Sequence, residues 1–196
     1  MSPLLGSFGA LTARAFGFGT LTSAPYIAEG SVYEIAKYTV PSGGVATVTL
    51  NVPSGYRHLK IYSSTRATQA AGGTDIRISF NGDSSANYSW HHLFGSTTSA
   101  TASGGSSASY IRNMNNVDGS YTNIFSGAVY DILDYASTTK VKTLKCLTGF
   151  DANGDGNIKF LSGTWYNTSS PITSIDFTTP STTFSQNTTF TLIGIK

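Results

Sequence analysis

The residues most suggestive of chemistry in this chain are consecutive: Asp151-Ala152-Asn153-Gly154-Asp155-Gly156-Asn157-Ile158. Asp151, Asn153 and Asp155 alternate as oxygen donors, Gly156 stands at a sharp turn, and Ile158 holds an aliphatic place. That matches the first eight positions of an EF-hand calcium loop. The twelfth position is Ser162, however, where such a loop needs a bidentate glutamate. The flanks LKCLTGF and KFLSGTW read as strands, not helices. The stretch is better explained as a β-hairpin turn, with a weak Ca²⁺ site on Asp151, Asn153 and Asp155 as the alternative. No cofactor is expected.

Other reactive side chains fall into similarly bland settings. His91 and His92 are neighbours on a strand pattern, so their rings project to opposite faces and do not chelate one metal together. Asp131 and Asp134 are the closest carboxylate pair, yet they bracket a strand end as solvent-facing and turn residues. No Gly-x-Ser-x-Gly elbow occurs. The single cysteine, Cys146, excludes an internal disulfide and sits between Leu144 and Thr148 with strand spacing, the setting of a buried structural thiol. These residues predict a protein that is not an enzyme.

Charge narrows the partners. Twelve basic and ten acidic residues leave a net charge of +2, and only 11% of residues are charged, against about 25% in ordinary soluble domains. Lys140, Lys142 and Lys145 form the one loose basic cluster, which reads as a solvated sheet edge blocking unwanted strand pairing. Neither a nucleic-acid partner nor a membrane is expected, since no apolar run is long enough to span a bilayer.

Strands must carry these residues. In Asp75 to Phe80, Ile76, Ile78 and Phe80 alternate with polar residues, the period of a half-buried strand. Asn81-Gly82-Asp83 then supplies residues that tolerate a left-handed turn. Tyr88, Trp90 and His92 share one face of the next strand, so an antiparallel pair is predicted here. Further runs cover 32–40, 45–52, 56–66, 109–112, 124–133, 140–150, 157–165, 172–177 and 188–195. The Ser/Thr/Ala/Gly-rich run from Thr97 to Ser107 reads as an exposed loop. About nine or ten strands with regular turns predict an all-β fold, an antiparallel two-sheet sandwich wound as a jelly roll.

Residues 1–30 differ from the body at 31–196. They are apolar, broken by glycines and without an acidic residue before Glu29. No basic region precedes an apolar run, and Arg14 interrupts it, so a secretory signal is not expected. Exposed Leu4, Leu5, Phe8, Leu11, Phe16, Phe18 and Leu21, with Arg14, would be a liability in a free monomer. The segment therefore reads as an extended arm that docks on a partner.

RISFNGD followed by SANYSW resembles the small β-sandwich proteins of bacteriophage virions. So do YTVPSGGVATVTL, GYRHLKIYSSTRAT, YDILDYASTTKVKTLKCLTGFD, GTWYNTSSPITSIDF and FTLIGIK, which extend the resemblance from about Val32 to the C-terminus. These are strand-turn-strand signatures, so they speak to fold more than to role. The resemblance implies location in the virion, as a capsid-decorating (cement) protein or a tail-associated one. It implies partners among other virion proteins, the major capsid protein or a tail or adaptor protein, and a homo-oligomer such as a trimer. The competing function is a fibre-like tail component that binds a host receptor or glycan, with Tyr121 and Tyr166 as the sugar-contacting rings and Trp90 and Trp165 as further aromatic candidates.

Overall fold

Twelve strands in two antiparallel sheets account for the fold, in a computed structural model that describes residues 31–69, 74–116 and 119–196. The expected arm on Leu4, Leu5, Phe8, Leu11, Arg14, Phe16, Phe18 and Leu21 lies outside the described residues. The strands begin with β1 (Val32–Thr39), β2 (Thr47–Asn51), β3 (His58–Thr65) and β4 (Thr74–Phe80). They continue with β5 (Tyr88–Ser96), β6 (Ala100–Ala108), β7 (Ile111–Asn116) and β8 (Ser126–Leu133). The last four are β9 (Lys142–Asp151), β10 (Gly156–Trp165), β11 (Ser174–Thr178) and β12 (Thr189–Ile195). No helix occurs among the described residues.

The larger sheet has the order β1-β12-β3-β8-β9-β10-β5-β6 and the smaller one β2-β11-β4-β7. The chain therefore crosses repeatedly between sheets, and each strand with period-two burial turns one of its two side-chain sets inward. Leu59, Ile61, Tyr130, Ile132, Leu144 and Leu161 of the large sheet are buried in one core with Val48, Leu50, Ile76, Ile78, Phe80 and Phe177 of the small one. Phe190 packs between Phe177 and Phe184, tilted against the first at 4.7 Å and edge-on to the second at 5.4 Å between centroids. At these separations the rings add attraction beyond the area they bury.

The Asn81-Gly82-Asp83 turn forms as expected, with Asn81 at φ 55° and Gly82 at φ 66°. The strands on either side of it do not pair, however. β4 hydrogen-bonds to β11 and β7, whereas β5 lies between β10 and β6 in the opposite sheet. The connection carries the chain across the core instead of back along the same sheet. Both strands still point their apolar faces inward, which is why alternation alone suggested a hairpin. Asp83 locks the crossing: its carboxylate accepts the Trp165 indole N–H at 2.8 Å, the Asn87 amide at 3.0 Å and the Ser85 backbone N–H at 2.9 Å. Tyr88 stacks on Trp165 nearby, and Phe80 packs tilted against both rings. The Tyr88 hydroxyl accepts from the Phe80 N–H at 3.0 Å and donates to the Asp83 carbonyl at 3.1 Å.

Two other expectations are corrected. Most of the low-complexity run 97–107 is strand, β6, paired along β5. Its glycines have a steric reason: a Cβ at Gly104 would sit 2.5 Å from the His91 ring, and one at Gly105 2.8 Å from the Trp90 ring. The second is the lysine edge. β9 is an interior strand between β8 and β10, and Lys142 is fully buried, its ammonium donating to the Asn167 carbonyl at 2.7 Å near the Trp165 ring. A lone lysine on a period-two strand falls on the inner face whenever its register does, and its composition gives no warning.

Candidate interaction face

The expected site residues are scattered. Asp151, Asn153 and Asp155 lie in the β9–β10 hairpin turn. There the Asp151 carboxylate accepts the Asn153 N–H at 2.9 Å, and Asp155 accepts the Tyr121 hydroxyl. Among the described residues no group of three or more His, Cys, Asp or Glu side chains is placed to hold a metal. Tyr121 packs on Phe150 at that end of the sheet. Tyr166 is exposed just beyond the other end of β10, its hydroxyl accepting from Ser89. With about 3.3 Å per residue, ten residues of strand hold Asp155 and Tyr166 roughly 30 Å apart, so the two tyrosines do not share one sugar site. Trp90 and Trp165 are both core residues.

A few nucleophilic and titratable groups are internal. Cys146 is buried, and burial raises its thiol pKa far above the ordinary value. His92 is stacked on Trp90 (centroids 5.3 Å) and held to a lowered pKa, first by burial and then by the nearby Lys159 charge. Lys159 itself is fully buried with no hydrogen-bond partner for its ammonium, and desolvation brings its pKa down to about 8. His91 points outward, as expected for the neighbour of an inward His92. Asp131 pairs with Lys60 at 3.1 Å across β8 and β3, and Asp134 sits at a positive-φ turn beside Lys140 at 2.9 Å.

What the structure assembles is the outer face of the large sheet. An antiparallel sheet with one face on the core ordinarily alternates hydrophobic-in and polar-out. Here the outward positions of five adjacent strands line up as a row of apolar side chains: Tyr62, Val129, Leu147, Phe160 and Leu93, each directly opposite the next. Phe160 is 57% exposed, Leu93 55%, Tyr62 46% and Leu147 43%, so the strands and loops of the sandwich body leave the row open. At about 4.8 Å per strand it runs roughly 19 Å.

Two parallel rows flank it. On one side lie Lys60, Asp131, Lys145, Ser162 and His91. On the other lie Ser64, Gly127, Gly149, Ile158 and Gly95. The second row is shallow because three of its five members lack a side chain. Two open depressions, of about 650 and 550 Å³, follow the apolar row. The face thus has an apolar centre, a charged border and a trough.

The alternation signal in the sequence pointed every strand's inner residues to the core but did not single out this row. Its members are separated by up to about a hundred residues in the chain, and only the strand order makes them neighbours. Ordinary outward hydrophobics in five separate strands were the available signal. Compared with protein-family models, with curated proteins and with solved structures, the chain matches none.

Proposed function

We propose that this chain is a structural, non-enzymatic component of a bacteriophage particle, an oligomeric β-sandwich that decorates the capsid and braces it through protein-protein contacts. The observation that carries the assembly role is the exposed apolar row across β3, β8, β9, β10 and β5. Single exposed hydrophobics need no explanation, but a contiguous row bordered by charged residues is typical of a protein-binding surface. The virion setting rests on the sequence resemblance. We read the winding as a jelly roll, because strands remote in sequence, β1 with β12 and β2 with β11, lie side by side while the chain alternates between sheets. The segment at residues 1–30 would add a second attachment, and removing it would release the protein from particles while leaving the sandwich folded.

The test is the copy number of the protein in purified particles, measured by quantitative mass spectrometry against the major capsid protein. A simple integer ratio is expected. A handful of copies per particle would move the protein to the tail and favour receptor or glycan binding, and none would end the virion reading.

A further inference from the structure

We propose that the occupant of the apolar face is a second copy of the same face, related by a twofold axis that runs along the row Tyr62-Val129-Leu147-Phe160-Leu93. This deepens the reading of the face as an assembly surface and rests on it. The argument comes from register. A twofold along the central row leaves that row against itself and lays the charged row of one copy over the trough row of the other. Lys60 then faces Ser64, Asp131 faces Gly127, and Lys145 faces Gly149. At the remaining two positions Ser162 faces Ile158 and His91 faces Gly95. In all five pairs a larger side chain meets a smaller one, and the order inverts at the one strand, β10, where the trough row carries bulk. Matched bulk across five strands is what a self-complementary face requires.

Size and polarity agree with that arrangement. Seven strands from β12 to β6 at about 4.8 Å, by roughly 20 Å along the strands, give about 700 Å² per copy. Standard stable interfaces bury about 800 Å² per partner, with an apolar centre and a polar rim. Here Lys60, Asp131 and Lys145 fall about two residues from the axis, toward the rim, and Lys60 already carries its counter-ion in Asp131. Aligned sheets of this kind pack face to face about 10 Å apart.

The experiment uses the full chain, followed by sedimentation equilibrium over a wide concentration range. Val129 lies on the axis and faces its own copy across a sheet spacing of about 10 Å, too far for a direct disulfide but within reach of a short bis-maleimide, so Val129→Cys should be crosslinked into a dimer by that reagent. Gly127→Leu separates the proposed geometry from general stickiness. Gly127 has open space where a Cβ would go and no left-handed backbone, so the variant folds and gains apolar surface. Non-specific association would tighten. The twofold register instead puts the partner's Asp131 there, so dimerisation should weaken at least tenfold, and Phe160→Asp should abolish it. A wild-type monomer at every concentration, a trimer indifferent to Gly127→Leu, or a tighter Gly127→Leu dimer would each overturn the proposal. If the protein is monomeric but Phe160→Asp still abolishes binding to stripped particles, the dimer is wrong and the assembly face stands. Loss of neither property would remove both.

Discussion

Replacing Asp83 by asparagine tests how one carboxylate ties the inter-sheet crossing to the core. Asp83 receives three hydrogen bonds, from the Trp165 indole, the Asn87 amide and the Ser85 backbone. Partial burial alone would raise its pKa, but the hydrogen bonds outweigh it and bring the value down from 3.8 to about 2. The difference between 3.8 and about 2 corresponds to roughly 2.4 kcal/mol, at about 1.4 kcal/mol for each tenfold change in acidity. Because the side chain is partly exposed, a discounted 1–2 kcal/mol is the reasonable expectation. A carboxylate whose folded pKa is depressed stabilises the fold above its unfolded pKa, and that contribution disappears as pH falls through the folded value. Asp83→Asn keeps one carbonyl acceptor for the indole but removes the charge. It should therefore cost about 1–2 kcal/mol at pH 7, with the gap to wild type shrinking between pH 4 and pH 2. Urea unfolding followed by the fluorescence of Trp90 and Trp165, both buried, reads this directly. A gap that is the same at pH 7 and pH 2.5 would show that the charge is not what stabilises the crossing.

Lys159→Met should stabilise the protein by about 1–3 kcal/mol near neutral pH, because it removes a buried ammonium that has no hydrogen-bond partner, only the Phe94 ring 5.6 Å away, and keeps the apolar stem. The lowered lysine pKa means that the unfolded chain holds the proton more tightly, so wild-type stability should rise from about pH 8 toward the ordinary lysine value of 10.5. The variant should lack that rise in pH-dependent urea titrations; equal slopes would refute it. Cys146, buried and with its thiol pKa raised by desolvation, should react with a thiol reagent only at the rate of unfolding, and fast labelling of the native protein would contradict its placement.

Much of the fold was written into the period-two pattern. Ile76, Ile78 and Phe80, or Ala128, Tyr130 and Ile132, are inward because alternation on a pleated strand leaves no other way to bury them together. The turn chemistry of Asn81-Gly82, the opposite faces of His91 and His92, the buried thiol of Cys146 and the hairpin nature of Asp151 to Asn157 follow from local rules of the same kind. These are statements about neighbours in the chain, and the chain states them.

Partnership between strands is a different matter. Whether β4 pairs with β5 or crosses to the other sheet leaves the alternation unchanged, since both arrangements bury the same side chains. A Gly-Ser run becomes a strand because it pairs along β5, and Gly104 and Gly105 leave the space that the His91 and Trp90 rings occupy there. Lys142 is buried because its register on β9 puts it on the core-facing side, where the Asn167 carbonyl accepts a hydrogen bond from its ammonium. The apolar row of the outer face belongs to this second class. Tyr62, Val129, Leu147, Phe160 and Leu93 each look like a stray outward hydrophobic in their own strand. The sequence by itself determined which side chains face inward; only the strand order and register of the tertiary structure decided which outward ones stand together, because contacts perpendicular to the strands are set by long-range hydrogen bonding that no local pattern encodes.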